Sequence, residues 1–209
     1  VILVDNASED GSVEWISQQF PQVKQIINSE NVGFPIGNNI GVAQAKGEFL
    51  CILNPDTIVA EDTFSSAISF MENNKQVAIM GPKLIDGSGT FLKESKRGVP
   101  TPSVAFSKVA GLYKIAPKLF GKYYNLRLSK DTSGPTDILV GAFMFMRTEH
   151  YHELNGFDEA CFMYSDDIDL SFRSLQLGQQ NYYNADITTI HFKGESTPKD
   201  FAYQIMFRE

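Results

Sequence analysis

Short apolar runs that each stop at a polar turn and give way to helical spacing constrain this chain more than any other feature. Val1-Ile2-Leu3-Val4 ends at Asp5 and the turn-rich stretch Asn6-Ala7-Ser8-Glu9-Asp10-Gly11-Ser12. Val13, Ile16 and Phe20 then recur on one helical face before a second apolar run at 23–27. A glycine- and asparagine-rich loop leads into a short helix, and the run 49–53 ends at Asn54-Pro55-Asp56-Thr57. A helix over 61–73 and a strand over 77–80 continue the alternation. It predicts an α/β domain with a mostly parallel central sheet flanked by helices. Ligands of such sheets gather at the carboxyl ends of strands, where Asp5 and Asp56 both stand.

The stretch 87–135 is less regular, with a turn at Asp86-Gly87-Ser88-Gly89, two proline-containing segments and a helix expected over 104–120. It is expected to form a lid or acceptor-side insertion. Regular structure resumes with a strand over 138–146, a helix over 149–154 and a turn at Asn155-Gly156. The run Phe143-Met144-Phe145-Met146 reads as core.

With 209 residues, 43% of them hydrophobic and 12% aromatic, the chain has material for one sizeable core. A formal charge of −7 excludes a nucleic-acid coat, which needs a concentrated basic surface, although a local basic cluster stands at 93–97. Cys51 and Cys161 are too few for a disulfide framework and read as buried thiols. No apolar run reaches the roughly 18 residues of a membrane span, and the start does not resemble a signal peptide. A cytoplasmic domain is expected, with peripheral contact at the inner face of the membrane left open.

Three carboxylates crowd into Tyr164-Ser165-Asp166-Asp167-Ile168-Asp169-Leu170-Ser171-Phe172-Arg173. Ser165 and the acids after it suit a helix start, with a hydroxyl cap and negative charge at the positive end of the dipole. Asp169 and Arg173 are spaced for a helix ion pair, and Ile168, Phe172 and Leu175 for a buried face. The second reading is catalytic: one of these acids serves as a general base. Successive helix residues point about 100° apart, so Asp166 and Asp167 do not aim at the same atom.

Asp56 is either a turn former or a metal ligand. With carboxylate and phosphate oxygens the expected ion is Mg²⁺ or Mn²⁺. His191, which ends the apolar run 187–190, is either a structural histidine, the commoner role of a lone one, or a ligand whose imidazole would tilt the choice toward Mn²⁺. Asp5 either caps its loop or accepts the ring N–H of a uracil or thymine. Gly33, Gly37 and Gly41 lack the spacing and lysine of a phosphate loop and suggest a tight turn with close packing.

Together these blocks resemble the family 2 glycosyltransferases, in particular the bacterial rhamnosyltransferase-like members that build cell-surface polysaccharides. The resemblance rests on residues 4–12, Asn31-Val32-Gly33-Phe34 with 37–41, 53–57, Gly141-Ala142-Phe143-Met144, Gly156-Phe157-Asp158-Glu159, Phe162-Met163-Tyr164 with the acidic run, and 191–196. It implies an A-type glycosyltransferase fold, a single catalytic domain over 1–209 and inversion at the sugar carbon. Asp5 would recognise the pyrimidine, with Asn6, Ser8, Asn31, Gly33 and Asn38 as further nucleotide contacts. Asp56 and His191 would hold the metal, and Asp167 would be the base. Asp166 stands where the family usually has Glu, and Gly141 and Ala142 would border the acceptor pocket.

The implied donor is a dTDP- or UDP-sugar, with dTDP-rhamnose preferred, and the acceptor a hydroxyl of a growing glycan or lipid-linked molecule. The family's usual opening strand does not precede Val1, so the resemblance implies an N-terminally trimmed domain. Oligomeric state is not legible. A nucleotidyltransferase is a competing reading, disfavoured by acidic Glu9-Asp10 where a basic loop is expected; a non-catalytic nucleotide-sugar-binding module is another.

Overall fold

The computed structural model describes residues 1–102, 104, 121–160 and 165–192. Its elements are β1 (Ile2–Asp5), α1 (Ser12–Gln19), β2 (Lys24–Ile27), α2 (Phe34–Val42), β3 (Phe49–Leu53), β4 (Thr57–Val59), α3 (Thr63–Asn73), β5 (Val77–Ile85), β6 (Gly134–Pro135), β7 (Phe143–Arg147), α4 (Thr148–Glu153), α5 (Asp166–Gln176) and β8 (Gln180–His191). The expected helix over 104–120, Cys161 and the blocks 162–164 and 193–196 lie wholly or almost wholly outside the described residues.

β1 and β2 pair in parallel as a two-stranded sheet, and the other strands form a second sheet in the order β3-β7-β5-β8-β4, with β6 on β8. β5 and β8 are parallel, while β7 runs antiparallel between β3 and β5. β3, β5 and β8 therefore share one direction, and the sheet is mixed where β7, β4 and β6 join it.

Layering follows from strand periodicity, since alternate side chains point to opposite faces. Ile79, Met144 and Met146 pack on one side with Val42 of α2, Tyr151 of α4 and Leu170 of α5. Met80, Phe143 and Phe145 pack on the other with Ala67 and Met71 of α3. Most of these side chains are completely buried, each contributing roughly 1.5–3 kcal/mol of transfer free energy. The run 143–146 is core, as its sequence suggests.

Two strands outgrow their sequence signals: β5 continues to Ile85, and β8 spans twelve residues where only 187–190 looked strand-like. Polar Asn181 and Asn184 masked β8, yet both are buried; Asn181 Nδ2 donates to the carbonyls of Asp137 and Ser171.

Two helix faces depart from expectation. α1 has no buried residue, and Phe20 lies 43% exposed with its ring edge-on to Trp15, because no further layer of the described residues covers this side of the two-stranded sheet. On α5 the buried face is Asp166, Asp167, Leu170, Ser171 and Ser174, while Phe172 faces outward. Hydroxyls replace apolar side chains there because they have partners: Ser171 Oγ accepts the Leu139 N–H, and Ser174 Oγ meets His150 Nε2. Ser165 precedes α5 but makes no side-chain cap bond, since its backbone is not in the extended conformation of a capping serine.

Candidate active site

β4 adds antiparallel to β8 with Thr57 opposite His191, and this register carries Asp56 beside the histidine. Asp56 Oδ1 lies 3.3 Å from His191 Nε2, with both side chains almost fully buried. The Phe192 N–H donates to the Asp56 carbonyl and Thr57 Oγ1 donates to that of Asn54, fixing the turn from both ends. Two residues far apart in the sequence and expected to share a metal are thus adjacent in space.

The polar atoms here suit a divalent cation. Asn54 Oδ1, Asp56 Oδ1 and His191 Nδ1 are buried without a hydrogen-bond partner, a costly state for a site meant to stay apolar. Among the described residues no group of three His, Cys, Asp or Glu side chains converges. The described residues thus offer one carboxylate and one imidazole, which could hold such a cation with water and phosphate oxygens at its other positions, the habit of Mg²⁺-type sites.

The backbone connects this corner to the acidic helix. The Asn54 N–H donates to the Ala142 carbonyl, and the neighbouring Gly141 N–H donates to Asp167 Oδ2 at 3.0 Å. A β-carbon at Gly141 would lie 3.4 Å from Asp167 Cβ and 3.7 Å from both Asp166 Oδ2 and Phe34 Cε1. Both acids therefore flank Gly141. Ala142 turns its methyl into the core, so its carbonyl is the group that serves this corner.

Asp167 also makes an ion pair absent from the sequence reading. Arg97 Nη2 donates to Asp167 Oδ2 at 2.6 Å and to the Leu139 carbonyl at 2.9 Å, with both charged side chains nearly buried. Arg97 lies seventy positions away in the sequence, where it looked like part of a basic cluster. Asp169 pairs with Arg173 as its spacing suggests, and Arg173 also donates to the carbonyls of Leu154 and Gly156.

The residues expected at the nucleotide gather at the carboxyl end of β1 and the start of α2. Asp5 is buried at the end of β1 and accepts the Ser8 N–H on Oδ2, so the loop-capping reading holds for that oxygen. Asn6 Nδ2 donates to the Gly33 carbonyl, and Asn6 Oδ1 accepts from Asn28. Asn31 Oδ1 accepts the Gly33 N–H, and Asn38 Nδ2 donates back to Phe34 within α2. Gly33 has φ 85° and ψ 170°, a conformation essentially confined to glycine, and it starts α2 so that Phe34 reaches Gly141. A β-carbon on Gly41 would sit 2.9 Å from Val4 Cγ2, which accounts for a second glycine by close packing.

Asn39, in the second turn of α2, was not singled out by the sequence. Its Oδ1 accepts from Tyr151 Oη and the Phe157 N–H, while its Nδ2 donates to the Phe157 carbonyl and Glu159. A cleft of about 460 Å³, lined by Gly98, Asp137, Leu175, Gly178 and Gln180 among others, lies at the opposite end of α5 and includes none of the expected site residues. The chemistry-bearing side chains, rather than that cavity, define the candidate site. Among the described residues, no helix is long and apolar enough to cross a membrane.

Residues 1–154 match the family model described as Glycosyl transferase family 2. Over 211 residues the chain is 24% identical to an N-acetylglucosaminyl-diphospho-decaprenol L-rhamnosyltransferase of Mycobacterium tuberculosis, covering 96% of this chain and 68% of that protein. Over 168 residues it is 29% identical to the Rhamnosyltransferase WbbL of Escherichia coli K12, covering 77% and 61% respectively. Among solved structures, a mannosyltransferase from Pyrobaculum calidifontis in complex with GDP-Man and Mn²⁺ superposes with TM-score 0.63 at 20% identity, over 98% of this chain and 50% of the other. GalNAc-T7 with UDP, GalNAc and Mn²⁺ gives TM-score 0.62 at 16% identity, over 91% and 37%. This chain thus spans half or less of those solved chains. The shared fold is that of the A-type glycosyltransferases.

Proposed function

Because the chain belongs to glycosyl transferase family 2, we propose that it moves a hexosyl unit from a nucleoside-diphosphate sugar to an acceptor hydroxyl, with inversion at the sugar carbon. The observation that carries this reading is the approach of Asp56 to His191 amid buried polar atoms that lack partners. Rhamnosyltransferases among the relatives favour dTDP-rhamnose, within a wider dTDP- or UDP-sugar class, and a glycan or lipid-linked acceptor.

Asp56 and His191 would hold Mn²⁺ or Mg²⁺, which when bound supplies positive charge against the leaving diphosphate. Asp167 takes the proton of the acceptor hydroxyl through Oδ1, the oxygen that accepts no hydrogen bond from the described residues. As that proton leaves, the acceptor oxygen bonds to the anomeric carbon and the carbon–oxygen bond to the diphosphate breaks, so no covalent intermediate forms on the protein. Asp5, Asn6, Ser8, Asn31, Gly33 and Asn38 form the nucleotide wall, and Gly141 and Ala142 the floor on the acceptor side.

Titration of dTDP and UDP in the presence of Mn²⁺ should show binding that weakens on Asp56→Ala. Asp167→Asn should retain that binding and lose about 10²–10⁴-fold in turnover. Binding with no transfer by the parent protein would favour a nucleotide-sugar-binding module, and undiminished turnover in Asp167→Asn would remove Asp167 from the chemistry.

A further inference from the structure

The described residues that flank 98–137 meet at one root. Arg97 and Ile138 exchange backbone hydrogen bonds of 2.9 Å in both directions, and the Val99 N–H donates to Asp137 Oδ2. From this root the Arg97 side chain turns inward, where Nη2 reaches the Leu139 carbonyl and Asp167 Oδ2. Gly141 donates to the same carboxylate oxygen. Two donors thus converge on Oδ2, while Oδ1 receives none from the described residues.

A buried ion pair is weak grounds for stability, since desolvation of both charges offsets most of their attraction. Its geometric effect is clearer. A carboxylate on a two-torsion side chain can rotate, and two donors on one oxygen remove that freedom. We propose that Arg97 is a positioning residue for the base, holding Asp167 Oδ2 inward so that Oδ1 alone faces the acceptor hydroxyl. This inference rests on the reading of Asp167 as the base. It also links that root to the chemistry, because Arg97, paired there with Ile138, is the residue that orients the carboxylate.

The test uses the full chain and follows dTDP release from dTDP-rhamnose, with dTDP and Mn²⁺ titration reporting an intact donor site. Arg97→Met should lower kcat about 100-fold, the scale of loss from a small misplacement of a reacting group, with donor KM within about twofold of the parent. Arg97→Lys, which keeps the charge but not the fork, should recover part of that loss. In the Asp167→Asn background, Arg97→Met should change turnover by less than about twofold, because residues acting as a unit are non-additive. An unchanged kcat in Arg97→Met and Arg97→Lys beside an impaired Asp167→Asn would overturn the role of Arg97 alone, as would fully additive losses in the double variant. Full activity in Asp167→Asn would instead overturn the reading of the base. Should Arg97→Met fail to fold, Arg97→Lys and Arg97→Gln carry the same comparison.

Discussion

Lys96 illustrates how much a single side chain can reveal here. It is 2% exposed, donates through Nζ to the carbonyls of Asn125 and Leu128, and lies 5.9 Å from the ring centres of Phe91 and Tyr183. Burial disfavours its charged form and lowers its pKa from 10.5 to about 8. The unfolded chain holds this proton more tightly, so between pH 8 and 10.5 the folded state gives it up first. The contribution of Lys96 to stability therefore rises with pH across that window. Melting temperatures from pH 7.5 to 10 should show this component in the parent and lack it in Lys96→Met. Its neighbour Arg97 was equally hidden in the sequence, because a basic residue in a loop carries no mark of the carboxylate it will meet.

Among the elements, α2 and α5 do most to assemble the site. α2 packs its Gly41 face on β1 and places Val42 in the core of the larger sheet, so it joins the two sheets. Asn39 completes the joint by matching two donors and two acceptors at once. Asn39→Ala should cost about 2–4 kcal/mol in urea unfolding, because the Tyr151 hydroxyl and the Phe157 N–H lose their acceptor. The alternation of strands and helices made most of this architecture legible. α5 was less so: its buried face carries two acids and two serines, and an apolar-face rule pointed instead to Phe172. Hydrophobic periodicity fails where polar groups are buried with partners, as on this face of α5.

For the molecule as a whole, a cation and a nucleotide should bind as one event. If Asp56 and His191 hold the cation as proposed, they give it two side-chain ligands, so Mn²⁺ alone should shift the melting temperature little. Mn²⁺ with dTDP near 100 times its Kd should add about 2.7 kcal/mol, and His191→Ala should remove most of that joint gain. The pairing of these two residues was anticipated from ordered motifs, whereas its physical basis, the Thr57–His191 register, becomes visible only when β4 and β8 meet. That register has a consequence for synthesis. β8 supplies His191 and also holds β4, β5 and β6 together, yet it is among the last described segments to leave the ribosome. A nascent chain halted before Gln180 has Asp56, Arg97 and Asp167 already made, but lacks both β8 and His191. The Asp56–His191 corner therefore closes only after β8 has been made, however early Asp56 emerges.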